Sequence, residues 1–483
     1  MTFHRREVLG ALGAASASTL LWALGCGARS PAIRRAPQVS GEVRTWLRDA
    51  VARLIAVYPT VHALAVSRRR TTAALDVLGA GIARTRIDGA VFTVRRTDGS
   101  CREHVTSDLS AAGIDEAVTA LGAPRERKSL DFGRAPPTPD EPPHLDDSDL
   151  RHRAELLQRH ASASSRIVYA AALIDIDDAI LWSVAPRRDL EQRLTRIRHT
   201  ATCAAWNGSR AVVREAERAW SGWLDDQPLT PADIDAARDA ALQLMTPGIF
   251  DDGERTLVLD PSAAALLLDT AATHLLTSAA ARHPAVARRA AIDAHLASPL
   301  VTLVDDPTTP AAYGAFAFDD EGEPAAAITL LDQGRIAARL TDHTGSGAGR
   351  GRRPGHLALV EPAPPHLRLS PGSFDTPQLY TDGFILEGAL SATYDPDTDH
   401  FRLACARARE LKSANETGRI YADVELVGSL SALLAAIDGI ARDPATLAPH
   451  THPTQPPLWR SISTPALRTR GFLRASRPPR TRT

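Results

Sequence analysis

The stretch that most limits how this 483-residue chain can fold runs over residues 255–284, RTLVLDP followed by SAAALLLDTAATHLLTSAAARHP. Residues 256–259 form a short apolar run next to charge, a pattern that suits a strand. Asp260 is a good helix N-cap, and Pro261 fits the first helical position, where its missing N–H costs nothing. An Ala/Leu-rich run then continues to Pro284, so the pattern predicts a strand feeding a buried helix that this proline stops. Leu267, Ala271, Leu275 and Ser278 recur at helical spacing, with His274 at the edge of the same stripe. Asp269 and His274 therefore sit in an otherwise apolar helix, and each needs a partner or a function there.

These residues carry a resemblance. The segment is similar to the core of the TldD/PmbA (TldE) family of metallopeptidases and their partners, in which the same strand and helix hold an HExxxH metal motif. The six equivalent positions here are Asp269, Thr270, Ala271, Ala272, Thr273 and His274. The second histidine is kept, the first is an aspartate, and the glutamate is a threonine. The similarity continues through residues 297–342, ASPLVTLVDDPTTPAAYGAFAFDDEGEPAAAITLLDQGRIAARLTD, and more loosely over residues 43–470. It implies an α+β protein with an α/β N-terminal domain followed by a β-rich, mainly antiparallel C-terminal domain. It also implies a dimer, with a second copy or a companion family subunit as partner.

A composition of 44% hydrophobic and 23% charged residues is that of a globular chain large enough for two domains. A formal net charge of −1 gives no basis for nucleic-acid binding. Residues 1–26 read as a Tat-type export signal: Arg5 and Arg6 precede a mildly apolar Gly/Ala/Leu stretch ending in a lipobox-like Ala23-Leu24-Gly25-Cys26. This predicts an exported protein, periplasmic or anchored to the membrane as a lipoprotein through Cys26; the alternative is an uncleaved anchor helix. With Cys26 lipidated or removed, Cys101, Cys203 and Cys405 remain, too few for a disulfide framework.

The rest divides into a tether (27–42), an N-terminal domain (43–250), a C-terminal domain carrying the motif helix (251–475) and a tail (476–483). In the N-terminal domain helices are expected over 43–57, 108–121, 153–160 and 230–245, and strands over 62–79, 89–94, 166–173 and 179–184. The Pro/Asp-rich stretch 127–150 is a loop, in which His144 beside Asp146 and Asp147 reads as solvated acidic chain. Residues 151–244 show no nucleophile elbow, phosphate loop or dinucleotide fingerprint, which leaves that region an architectural role. In the C-terminal domain, short apolar runs at 300–304, 315–318, 327–331 and 336–340, separated by Asp/Pro/Gly turns, predict antiparallel hairpins, as does 380–430. A helix is expected over 431–440.

A hydrolytic zinc site needs three protein ligands, an open position for water and a base. Asp269 and His274 are suitable ligand types. The resemblance places a ligating cysteine in the closing stretch; here His450 falls opposite it if one gap is allowed, Thr451 without a gap, and His452 lies nearby. Residues five apart point about 140° apart on a regular helix, so Asp269 and His274 share a metal only across a widened turn. The glutamate base is Thr270, whose hydroxyl is a poor base at neutral pH; Glu321, Glu323 or Asp269 would have to substitute. The Gly/Arg loop HTGSGAGRGRRPGH (343–356) matches a cleft-lining loop of the family, which makes His343, Arg352 and Arg353 candidates for substrate contact.

Two functions follow. One is a non-catalytic pseudoenzyme that holds an extended peptide or a companion subunit, the peptide adding a strand to a sheet edge. The other is an exported zinc metallopeptidase with an Asp269/His274/His450 site. Without a metal, His274 would be a hydrogen-bonded core residue and Asp269 the partner of an arginine such as Arg255.

Overall fold

The computed structural model describes residues 40–98, 100–126, 128–133, 146–208, 210–341, 362–448 and 459–476. Cys26 and the export segment, His144, the loop with His343, Arg352 and Arg353, and His450 to His452 lie outside the described residues.

The N-terminal half contains helix α1 (Ser40–Leu54), strands β1 (Thr60–Asp76), β2 (Gly79–Arg95) and β3 (Cys101–Thr106), helices α2 (Ala111–Ala120) and α3 (Asp147–Ala161), strands β4 (Ile167–Ala185), β5 (Arg188–Trp206) and β6 (Ala211–Ser221), and helix α4 (Pro231–Gln243). The strands form one sheet in the order β3-β2-β1-β4-β5-β6, with every pairing antiparallel. The protein is α+β as expected, but this half is not built from parallel α/β units: tight hairpins join β1 to β2, β4 to β5 and β5 to β6, and such short connections permit only antiparallel neighbours. The helix entries were readable locally. Ser110 accepts from Gly113 N–H, and Thr230 with Asp233 closes a capping box before Pro231.

Two expected strands, 166–173 and 179–184, are one. Asp175 and Asp177 interrupt the apolar pattern in sequence, yet the sheet runs through them because arginines on both neighbouring strands neutralise them. Arg68 Nε donates to Asp177 at 2.7 Å and Arg70 Nε to Asp175 at 2.7 Å from β1, while Arg196 and Arg198 of β5 share the face. Helices α1 to α4 cover the opposite face around Leu47, Phe92, Trp182, Ile174 and Trp220.

The C-terminal half begins with β7 (Gly253–Leu259) and α5 (Pro261–Leu275), followed by α6 (Pro284–Arg289), β8 (Leu303–Asp305), β9 (Ile328–Asp332), β10 (Arg335–Ile336), β11 (His366–Leu369), β12 (Gly383–Asp395), β13 (His400–Lys412), β14 (Asn415–Ser429), α7 (Leu430–Ala435), β15 (Gly439–Ile440), β16 (Ala445–Leu447), β17 (Ser461–Thr464) and β18 (Leu467–Ala475). One sheet has the order β10-β9-β8-β11-β17-β16, the other β14-β13-β12-β7-β18-β15. Because β14 also pairs with β18, five strands of the second sheet close on themselves. All pairings are antiparallel except β7 with β12 and β11 with β17.

Helix α5 lies between these two sheets. Leu267, Leu268, Ala271, Ala272 and Leu275 join residues of β7, β11, β12, β13, β14 and β17 in the largest core cluster of the described residues. Asp260 caps α5 through Ala263 N–H, as its position implied. The helix does not run to Pro284. It ends at Leu275, since Thr277 bridges Leu340 and the Leu340 N–H takes the Leu276 carbonyl, which diverts the chain into the sheet. Pro284 instead occupies the first turn of α6.

Candidate functional site around the motif helix

Helix α5 is regular along its whole length, with no widened turn. Asp269 and His274 therefore point about 140° apart. Asp269 is half-buried and ion-paired with Arg460, which comes from the segment just before β17. Arg460 is itself buried; its guanidinium also donates to Thr273 Oγ1 at 2.9 Å and to the Pro364 carbonyl at 3.0 Å. Burial pushes the Asp269 carboxyl above its ordinary range, and the charge of Arg460, then that of His274, pulls it back. Asp269 thus has an arginine partner, but not Arg255, whose guanidinium donates to the Glu254 and Asp251 carbonyls.

Thr270 is buried and donates its hydroxyl to the Leu266 carbonyl at 2.7 Å. That hydroxyl serves its own helix. His274 is not a core residue. Its ring is exposed and lies 5.5 Å from the ring of Tyr394, tilted by 41°. Tyr394 Oη donates to Asp399 at 3.1 Å and accepts from Arg289 at 2.9 Å; burial pushes its phenol up to about 12. Glu323 pairs with Arg188 at 2.9 Å on the N-terminal sheet. Among the described residues no three His, Cys, Asp or Glu side chains come together as a metal site. Cys203 and Cys405 are buried free thiols, and Cys101 is exposed.

The segment that delivers Arg460 faces two ways. Trp459 is buried between two guanidinia of the N-terminal sheet, Arg68 at 4.3 Å and Arg196 at 4.4 Å from its ring centroid. Arg460, the next residue, turns to α5. Ser461 turns back and meets His366 Nδ1 at 2.8 Å and Gly314 N–H at 3.2 Å. Arg196 is fully buried and donates to the Tyr313 and Ala315 carbonyls, and Gln192 brackets Ala317 and Phe318 through both ends of its amide. Gly314 is required here, since a Cβ would meet the Pro365 carbonyl oxygen at 1.8 Å. The polar face of the N-terminal sheet is therefore where the C-terminal half docks. Neither Trp459 nor Arg460 stands out in sequence; the only local hint is that a buried aspartate in an apolar helix demands a cation from elsewhere.

Residues 252–475 match the PmbA/TldA metallopeptidase C-terminal domain. The chain is 22% identical over 217 residues to a metalloprotease of Methanocaldococcus jannaschii, covering 43% of this chain and 48% of that protein. It is 26% identical over 189 residues to a metalloprotease of Archaeoglobus fulgidus, covering 38% and 44% respectively. These matches span about half the length of each relative. The fold resembles that of a protein from Thermotoga maritima described as a proposed modulator of DNA gyrase, with a TM-score of 0.72 and 15% identity over 90% of this chain and 100% of the other. It also resembles TldE from Thermococcus kodakarensis, with a TM-score of 0.69 and 13% identity over 89% of this chain and 100% of the other. The C-terminal half of the chain thus matches the PmbA/TldD metallopeptidase family in sequence, and the fold is shared with TldE along nearly the whole chain.

Proposed function

We propose that this chain is a non-catalytic member of its family that holds an extended peptide, or a companion subunit, beside the motif helix. The observation that carries this reading is the Asp269–Arg460 pair. A metal at that carboxylate would have to displace a buried guanidinium that has two further hydrogen bonds. The described residues do not fit a zinc ion: the carboxylate is neutralised, the ring of His274 faces elsewhere, and Thr270 is spent on the helix backbone. A protein cation stands where the family motif would present its ligand. The exported metallopeptidase with Asp269, His274 and His450 is the competing reading, favoured by the metalloproteases among its relatives.

Metal content separates the two. Elemental mass spectrometry on protein purified without chelator is expected to find less than one tenth of an equivalent, on the order of contamination, for both the wild type and His274→Ala. Stoichiometric zinc in the wild type that is lost in His274→Ala would overturn the non-catalytic reading.

A further inference from the structure

The face on which the C-terminal half docks is mostly polar. Its apolar part is small: Phe318 packs among Val66, Ala179 and Leu181 of the N-terminal sheet. The rest is hydrogen bonds and charge, with the Gln192 amide donating to the Phe318 carbonyl at 2.7 Å and Arg196 Nε to the Tyr313 carbonyl at 2.9 Å. Burial pushes the Arg196 guanidinium down to about 10, with the charge of Asp177 opposing it. A contact of this kind resembles those between domains that move against each other more than it resembles a shared apolar core.

The segment entering β17 ties this face to the motif helix within two residues. Trp459 is seated between the guanidinia of Arg68 and Arg196. Arg460, one peptide unit later, closes on Asp269 and also donates to Thr273 Oγ1 at 2.9 Å and to the Pro364 carbonyl at 3.0 Å. Strand β17 begins at Ser461, whose N–H takes the Pro365 carbonyl, so Arg460 lies just outside the strand ladder. Its backbone is held by the strand on one side and by the seated indole on the other. Consecutive Cα atoms are joined by one planar peptide unit about 3.8 Å long, so a displacement of Trp459 carries over to Arg460. The guanidinium has to meet a carboxylate, a hydroxyl and a carbonyl at once, which leaves little latitude in where its backbone starts.

We propose that Trp459 is a positioning residue: it holds Arg460 over Asp269, so that α5 is neutralised only while the two halves of the chain are docked. Separation on the polar face withdraws the indole, releases Arg460 and leaves the Asp269 carboxylate bare on the motif helix. Docking and the charge of the helix are then one equilibrium. Whatever binds the bare carboxylate favours the open arrangement, and whatever binds the docked face keeps the carboxylate covered, by the reciprocity of linked equilibria. The coupling goes beyond the peptide-holding reading and stands without it.

The test places a thiol under the Arg460 guanidinium. In the full chain carrying Cys26→Ser and Cys101→Ser, which keeps the buried Cys203 and Cys405, Thr273→Cys is labelled by a fluorescent maleimide, and the rate reports whether Arg460 is in place. Arg460→Ala is expected to raise that rate about tenfold, within the range of coupling between sites, and Trp459→Ala to raise it by a similar factor. Trp459→Phe, which keeps a ring between the two guanidinia, is expected to restore the slow rate. The double variant Trp459→Ala with Arg460→Ala is expected to react no faster than Arg460→Ala alone. A slow rate in Trp459→Ala beside a fast one in Arg460→Ala overturns the proposal, because Arg460 then keeps its place without the indole. A further rise in the double variant overturns it too, since Trp459 would then act on α5 by general loosening and not through Arg460. No rise in Arg460→Ala overturns it by showing that the guanidinium does not cover the helix. Where Trp459→Ala does not fold, Gln192→Ala loosens the docking face away from the segment; a faster rate that vanishes in the Arg460→Ala background is expected, and an unchanged rate overturns the proposal.

Discussion

The guanidinium of Arg460 closes on the carboxylate of Asp269, a residue 191 positions earlier in the chain. It satisfies, from within the protein, the charge of a carboxylate set in an otherwise apolar helix.

Removing one partner of this pair strands the other in a partly buried place. Arg460→Met and Asp269→Asn are each expected to cost about 2–4 kcal/mol, and the double variant Asp269→Leu with Arg460→Met to recover much of it. Urea unfolding in a double-mutant cycle measures this. Additive losses would mean the two side chains do not depend on each other.

Trp459 links the halves. Trp459→Ala empties a buried site and deprives Arg68 and Arg196 of the ring between them, with an expected loss of about 3–5 kcal/mol. Thermal unfolding is expected to separate into two transitions, one for each half. A single transition at the wild-type temperature would show that the docking face holds without the indole.

His199 predicts the acid behaviour. It is 3% exposed, edge-on to Trp220 at 5.0 Å, and neither ring nitrogen has a partner among the described residues. Burial pushes its imidazole down from 6.5 to about 4. The native state keeps the ring neutral while the unfolded chain takes up a proton below pH 6.5. The stability His199 allows is therefore complete above that pH and falls as the pH drops towards 4, by roughly 3 kcal/mol in total. His199→Phe keeps the ring and removes the titration, so its urea midpoint between pH 6.5 and 4 is expected to fall less steeply than that of the wild type. Identical slopes would refute this.

The first residues predict where the protein goes. Cell fractionation is expected to find the full chain in the envelope, Arg5→Lys with Arg6→Lys retained in the cytoplasm, and Cys26→Ser released from the membrane. Cytoplasmic wild-type protein would end the export reading.

What the sequence by itself determined is local. Asp260 and Pro261 start α5, Thr230 and Asp233 start α4, and alternation with turn residues marks the hairpins of β12, β13 and β14. These follow from caps and periodicity, which act over a few residues. Tertiary structure decided the rest. Strand β4 runs unbroken through Asp175 and Asp177 only because Arg68, 109 positions before Asp177, and its neighbours lie alongside. Helix α5 stops at Leu275 only because Leu340 captures Thr277. Asp269 is neutralised only because the segment before β17 brings Arg460 to it. A buried charge announces in sequence that it needs a partner, but which residue supplies it depends on strands and segments that meet only once the chain has folded.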